Sequence, residues 1–236
     1  VRTRRRLGTT GFTQFEFDLP NADYVLPLKL GQPITMCCLD DNESVVKGDF
    51  YTYEPPGGQK LGTFSVLVPS FGHGDTVYSL GDDAANFVRV LKGLKAGDEI
   101  ALKPSESKLK YGGEYLPVTE MVYVAYGVGI VPILDQLKAV LPNGASSVNV
   151  VSVVWINPDH EDFGVIGNQL EAEHNKHKTK LAVDLVIENL VNNRLEDNKE
   201  IEVAIPSFTP GTMAVVSGPP EIGQKAKQYL MKRAYP

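Results

Sequence analysis

Several features that define common classes of protein are missing from this 236-residue sequence. It has only two cysteines, too few for a disulfide scaffold, and they are adjacent at Cys37 and Cys38. A disulfide between neighbouring residues is strained, so we expect two free thiols in a soluble protein of a reducing intracellular compartment. No run of about 20 apolar residues occurs, and this excludes a membrane-spanning helix.

Positive charge is also scarce. Lys and Arg number 23 against 29 Asp and Glu, which gives a formal net charge of −6. Nucleic acids and anionic membrane surfaces require a positive field, so this balance argues against both as partners. The start of the chain is the exception, because Arg2, Arg4 and Arg6 alternate there. We interpret them as a charged edge strand; the alternative is the trailing part of a plastid or mitochondrial transit peptide.

The signatures of several enzyme classes are absent as well. There is no G-x-S-x-G nucleophile elbow and no G-K-[ST] phosphate loop. The spacing C-x-x-x-x-C-x-x-C does not occur, so no iron–sulfur cluster is expected in this chain. His174 and His177 lie three residues apart, but no thiol or carboxylate completes a zinc set. We therefore predict a solvated helix face there and no metal site.

Residues 1–117 have the pattern of an antiparallel β-domain. Apolar and acidic side chains alternate along Phe15–Leu19, as in a strand with one buried face. Turn clusters rich in Gly and Pro separate several such short runs, which is typical of a barrel. One amphipathic helix is predicted at about Asp83–Leu94.

Residues 118–236 change to a different pattern. Largely apolar strands are predicted at Val122–Ala125, Val148–Ile156, Leu181–Val186, Ile201–Ile205 and Met213–Val216. Helical spacing is present at Pro132–Leu141, Ile166–Lys176 and Pro219–Arg233. Apolar strands that alternate with helices indicate a parallel sheet covered on both faces. This half is therefore predicted to be a doubly wound α/β domain of Rossmann type.

Two turns of the second half occupy the place where such sheets bind ligands, beyond the carboxyl ends of the strands. In the first turn, Gly127 and Gly129 would let the backbone approach a pyrophosphate at a helix start. The second turn, Ser217-Gly218-Pro219, also joins a strand to a helix. Glycine in such turns is equally common for geometry alone, so the pattern by itself leaves both interpretations open.

The order of these parts resembles the ferredoxin–NADP reductase superfamily, in which a flavin-binding barrel precedes a nicotinamide-nucleotide domain. The resemblance covers essentially the whole chain. It is carried by Gly31-Gln32-Pro33, Phe50-Tyr51-Thr52, Lys95-Ala96-Gly97-Asp98, the A-x-G-x-G-x-x-P turn of residues 125–132 and the S-G-P-P turn of residues 217–220. It implies an FAD-binding antiparallel barrel at residues 1–117 and an NAD(P)-binding doubly wound parallel sheet at residues 118–236.

The resemblance also implies roles for individual residues. Thr52 would hydrogen-bond near the flavin N5, and Ser217 would lie beside the nicotinamide C4, so these two are the candidate catalytic residues. Residues implied in binding FAD are Tyr51, Tyr53, Ala84 and Ala85. Residues implied in binding NADH or NADPH are Gly127, Val128, Gly129, Gly218 and Pro219.

Functional positions nevertheless depart from the superfamily's pattern. The substituted positions are Asp49 for an arginine, Asp82 for a glycine, Ala85 for a serine, Val128 for a threonine, Pro158 for a basic residue and Ser217 for a cysteine. The acidic loop around Pro158 disfavours a 2′-phosphate and so favours NADH over NADPH.

Two functions stay open. One is a flavin-dependent NAD(P)H oxidoreductase that passes electrons to a separate protein or small molecule. The other is a redox-weakened relative that serves as a binding or assembly subunit of a larger complex.

Overall fold

The structure, a computed structural model, describes residues 1–8, 11–58, 60–69, 82–106, 117–142, 144, 146–188 and 198–236. The chain divides into two compact units, Val1–Leu7 with Gly11–Lys110 and Gly8–Thr10 with Tyr111–Pro236. The expected domain boundary between residues 117 and 118 stays a prediction, because residues 107–116 are outside the described part.

The first unit is built on antiparallel strands. Its described strands are β1 (Thr3–Arg6), β2 (Phe12–Asp18), β3 (Ile34–Leu39), β4 (Val45–Phe50), β5 (Thr63–Pro69) and β6 (Ala101–Pro104), and its helix is α1 (Asp82–Gly93). The strands form two sheets, in the orders β1-β2-β5 and β4-β3-β6. A bridge between Thr52 and Val66 connects the segment after β4 to β5. The arginine-rich start is an exposed edge strand, as predicted.

Both sheets and α1 contribute to one apolar core. Alternation along β2 turns Phe15 and Phe17 inward, and the ring of Phe17 stacks on Phe64 of β5 at 5.0 Å between centroids. From the other sheet, Phe50 of β4 meets Phe87 of α1 at 5.5 Å. All of these rings are almost completely buried. Packing of its apolar face against this core stabilises α1, the helix predicted from its amphipathic spacing.

The second unit is a parallel sheet with helices between its strands. The strands are β7 (Glu120–Tyr126), β8 (Val150–Asn157), β9 (Leu181–Ile187) and β10 (Thr212–Ser217). The helices are α2 (Val131–Val140), α3 (Gly164–Lys176), α4 (Lys199–Ala204) and α5 (Pro220–Lys232), with 3-10 turns at Gly127–Ile130 and His160–Phe163. All three strand pairs are parallel, in the order β10-β7-β8-β9. Antiparallel sheets followed by this sheet confirm the predicted fold class.

One predicted strand is wrong. Residues Ile201–Ile205 belong mainly to helix α4, not to the sheet. The Asn198 side chain accepts a hydrogen bond from the Glu200 N–H and so caps the start of this helix. Ile201 and Ile205 are fully buried while Val203 is 76% exposed, which is a helical burial pattern four residues apart.

Two further observations concern the chain as described. Cys37 and Cys38, neighbours on β3, are both free thiols. Among the described helices, none has the length and apolar character needed to cross a bilayer.

Candidate functional site

The strand order of the second unit defines where a ligand would bind. From β7 the chain moves outward to β8 and β9, and it then returns to the opposite side of β7 to form β10. The order therefore reverses between β7 and β10. In open parallel sheets, ligands bind at the carboxyl ends of the two strands that flank this point. The two turns singled out in the sequence follow these two strands.

The structure brings the two turns into backbone contact. A Cβ atom on Gly129 would lie 2.7 Å from the carbonyl carbon of Ser217, closer still to its oxygen, and 3.0 Å from the nitrogen of Gly218. Any side chain at residue 129 would therefore push the turns apart. Gly127 has a φ of +54°, in the left-handed region that glycine adopts without strain. Close packing of the two turns therefore requires glycine at residue 129, and the positive φ favours glycine at residue 127.

The turn that follows β7 is also the start of a helical segment. The 3-10 turn Gly127–Ile130 leads into α2, and Pro132 lies in the first turn of that helix. The first N–H groups of a helical segment have no partner within it. They are available to an anion, and the aligned peptide dipoles favour negative charge there. Val128 is half-buried while its neighbours on both sides are buried.

The single tryptophan of the chain supports the first turn from beneath. Trp155 of β8 is completely buried, and its indole N–H donates to the Gly127 carbonyl oxygen at 3.0 Å. Its ring meets the Phe163 ring edge-to-face at 5.0 Å. Its complete burial makes Trp155 part of the core and leaves no ring face exposed for a ligand to stack on.

Asn157 is a candidate binding residue that the sequence reasoning missed. It ends β8, its side chain is completely buried, and neither amide atom has a hydrogen-bond partner among the described residues. A buried amide without partners is costly, so native proteins pair nearly all of them with protein, water or ligand. The only sequence signal was its position at the carboxyl end of a parallel strand.

The loop after β8 is negatively charged. Asp159 and Glu161 are exposed, and the Asp159 carboxylate also accepts a hydrogen bond from the Glu161 N–H. Pro158, which occupies the position of the superfamily's basic residue, offers no cation. These carboxylates would repel a phosphate group placed beside the loop.

The residues assigned to the flavin lie consecutively in the first unit. Tyr51 and Thr52 are half-buried directly after β4. Tyr53 is only 1% exposed, and its N–H donates to the Ser65 carbonyl oxygen at 2.7 Å. Ala84 and Ala85 lie in the first turn of α1; their side chains are outside the described part. The flavin roles of these residues stay predictions.

Asp49, which replaces the superfamily's arginine, lies on the exposed face of β4. Its carboxylate accepts a hydrogen bond from the Thr35 hydroxyl at 2.7 Å, across the β3–β4 pair. Gly48 and Phe50, its neighbours, point into the core. A carboxylate at this position would repel a flavin diphosphate that an arginine would attract.

The described residues contain no cluster of His, Cys, Asp and Glu that would hold a metal ion. The ring Nδ1 of His174 instead forms a hydrogen bond with the Leu181 carbonyl oxygen at 2.7 Å. His177 lies 3.9 Å from the Glu173 carboxylate.

Comparison with known proteins places these features in context. No protein-family model matches the sequence. NADH-cytochrome b5 reductase 1 of Dictyostelium discoideum is 27% identical over 222 residues, which are 92% of this chain and 71% of that protein. The cytochrome b5 reductase domain of Ulva prolifera nitrate reductase superimposes with a TM-score of 0.72 at 18% identity, over 100% of this chain and 92% of that one. Ferredoxin-NADP+ reductase from Plasmodium falciparum gives 0.62 at 14% identity, over 99% and 89%.

Proposed function

Since this chain has the fold of the ferredoxin–NADP reductase superfamily, we propose that it is a flavin-dependent oxidoreductase that uses NADH. The observation that carries the proposal is the backbone contact between Gly129 and the Ser217-Gly218 turn at the point where strand order reverses. The geometry requires glycine there, and glycine turns at this place in an open parallel sheet suit a pyrophosphate.

The residues of the second unit fit a dinucleotide. Gly127, Val128 and Gly129 would offer backbone N–H groups to the diphosphate. Asn157 would form its missing hydrogen bonds with the ligand, which explains why a buried amide lacks partners in the described chain. Ser217 ends β10 and would place its hydroxyl beside the nicotinamide, while Gly218 and Pro219 shape the turn.

The chemistry itself belongs to the cofactors. When they are bound, the nicotinamide supplies a hydride and the flavin accepts its two electrons for delivery onward. The chain contributes binding and orientation. On the first unit, Tyr51 would pack against the flavin and Thr52 would donate a hydrogen bond to it.

NADH is the proposed donor in preference to NADPH. Asp159 and Glu161 expose carboxylates in the loop after β8, and Pro158 cannot pair with a 2′-phosphate. A phosphate close to two carboxylates meets repulsion that the smaller charge of NADH avoids.

The proposed electron acceptor is a separate protein. Similarity to an NADH-cytochrome b5 reductase over 92% of this chain supports a one-electron carrier of that kind. The proposal concerns the class of acceptor only.

One observation favours the second candidate function, a binding or assembly subunit. Asp49 opposes a flavin diphosphate, and its carboxylate already accepts a hydrogen bond from Thr35. On this hypothesis the fold is retained while flavin affinity is lost.

An absorption spectrum and a donor assay separate the two functions. The purified protein, with and without added FAD, is assayed for ferricyanide reduction by NADH and by NADPH. A flavin spectrum and faster turnover with NADH are expected. A colourless protein that stays inactive with added FAD, and that co-purifies with a larger complex, would support the subunit function and contradict the oxidoreductase.

A further inference from the structure

A hydrogen bond between Trp155 and Gly127 connects β8 to the turn that follows β7. The indole N–H is the donor and the Gly127 carbonyl oxygen the acceptor, at 3.0 Å, in a completely buried position. Residue 155 lies opposite Ala125 in the β7–β8 register. The indole therefore extends beyond its strand partner to the turn that follows β7. Phe163 packs edge-to-face on the same ring and limits its rotation.

The direction of this carbonyl determines the direction of the next N–H group. The peptide between Gly127 and Val128 is planar and trans, and in a trans peptide the C=O and N–H bonds point in opposite directions. Since the carbonyl oxygen points to the buried indole, the Val128 N–H points away from it. Val128 is the half-buried member of an otherwise buried turn.

We propose that Trp155 is a positioning residue for dinucleotide binding. Its indole N–H holds the Gly127 carbonyl inward, and the Val128 N–H is thereby presented to the diphosphate of the nucleotide. The inference rests on the proposed function, because it assumes that a dinucleotide binds at this turn. A left-handed glycine is flexible, so a hydrogen bond from a buried side chain to its carbonyl adds to the bonds within the 3-10 turn in fixing this peptide.

The test compares two conservative substitutions of buried aromatic residues. Trp155→Phe keeps a ring against Phe163 but removes the indole donor. Tyr123→Phe, the matched control, removes a hydroxyl on β7 that is buried and has no partner among the described residues. Affinity for ADP-ribose is measured by calorimetry on the full chain, and the thermal midpoint is recorded for each variant.

We expect ADP-ribose to bind about tenfold more weakly to Trp155→Phe, the loss that corresponds to one buried hydrogen bond. The control should bind like the wild type. Equal affinity of the wild type and Trp155→Phe would overturn the role of Trp155 and leave the proposed function standing. A wild type that binds no ADP-ribose would contradict the proposed function itself, and the positioning role with it.

A second measurement needs no variant. Trp155 is the chain's one tryptophan, so all indole fluorescence comes from the side chain that donates to Gly127. We expect ADP-ribose to change this emission with the same dissociation constant as in calorimetry. Calorimetric binding without any change in emission would count against the coupling, even if Trp155→Phe fails to fold.

Discussion

Replacing Gly129 with alanine tests the proposed binding site at the contact between the two turns. The added methyl group would lie 2.7 Å from the Ser217 carbonyl carbon and 3.0 Å from the Gly218 nitrogen, shorter than ordinary van der Waals contacts. Both neighbours are backbone atoms of a turn fixed by the β7–β10 pairing, so they cannot rotate aside as a side chain would. Relief requires the two turns to separate by roughly 1 Å, a displacement that can cost about a hundredfold in rate where groups must be aligned.

The expected result has a stability part and a functional part. Overpacking of this kind costs about 1–3 kcal/mol of unfolding free energy. The free energy of binding ADP-ribose should weaken by at least the same amount, because the separated turns are the proposed binding surface. Urea unfolding and calorimetry measure the two quantities on the same preparation.

Gly223→Ala is the matched control. Gly223 lies in α5, and nothing is within 4 Å of the Cβ it would gain. Alanine favours a helix over glycine by about 0.8–1.0 kcal/mol, so this variant should be more stable and should bind normally. If Gly129→Ala behaves like Gly223→Ala in both assays, the backbone contact does not form the site.

Three shorter predictions concern the first unit. Asp49→Arg should increase flavin absorbance per mole of purified protein, because it restores attraction for a diphosphate; unchanged absorbance would refute the assignment of this position. Gly62→Ala should lower the urea midpoint more than Gly57→Ala, since both have positive φ but only the Gly62 methyl would lie 2.5 Å from the Ala22 Cα. The pKa of Lys92 is lowered from its ordinary 10.5 to about 8, mainly by burial and secondly by the positive charge of Arg4 on β1. Between about pH 8 and pH 10.5, Lys92 is protonated in the unfolded chain and largely deprotonated in the folded chain. The free energy of unfolding should therefore rise with pH across this range. The rise should be smaller in Lys92→Met, and an identical slope in both proteins would contradict the lowered pKa.

Local patterns in the sequence predicted the elements whose packing is local. Alternation along Phe15–Leu19 correctly indicated a half-buried strand. Amphipathic spacing correctly indicated α1, whose Phe87 and Leu91 are buried. The strand predicted at Ile201–Ile205 was wrong because two apolar residues four apart fit both a short strand and one helical turn. The cap at Asn198 decides for the helix.

Contacts between distant segments could not be read in this way. The Trp155 indole and the Gly127 carbonyl are 28 residues apart, and they meet only because β7 and β8 are neighbours in the sheet. The lack of a hydrogen-bond partner for the Asn157 amide among the described residues likewise depends on the packing around it. The reversal of strand order between β7 and β10 follows from pairing, which periodicity along one strand does not encode.

The departures from the superfamily's pattern should affect the two cofactors unequally. Asp49 alters a side chain that would face the flavin diphosphate, whereas Val128 alters a residue whose proposed contribution is its backbone N–H. Replacing a side-chain ligand removes an interaction, but replacing the side chain of a backbone donor leaves the donor in place. Independent sites deviate from additivity by only about 0.5 kcal/mol. We therefore expect protein stripped of flavin to bind ADP-ribose with an affinity within about threefold of the flavin-loaded protein. Calorimetry on both forms measures this difference, and loss of ADP-ribose binding on removal of flavin would show that the two turns are not a self-sufficient site.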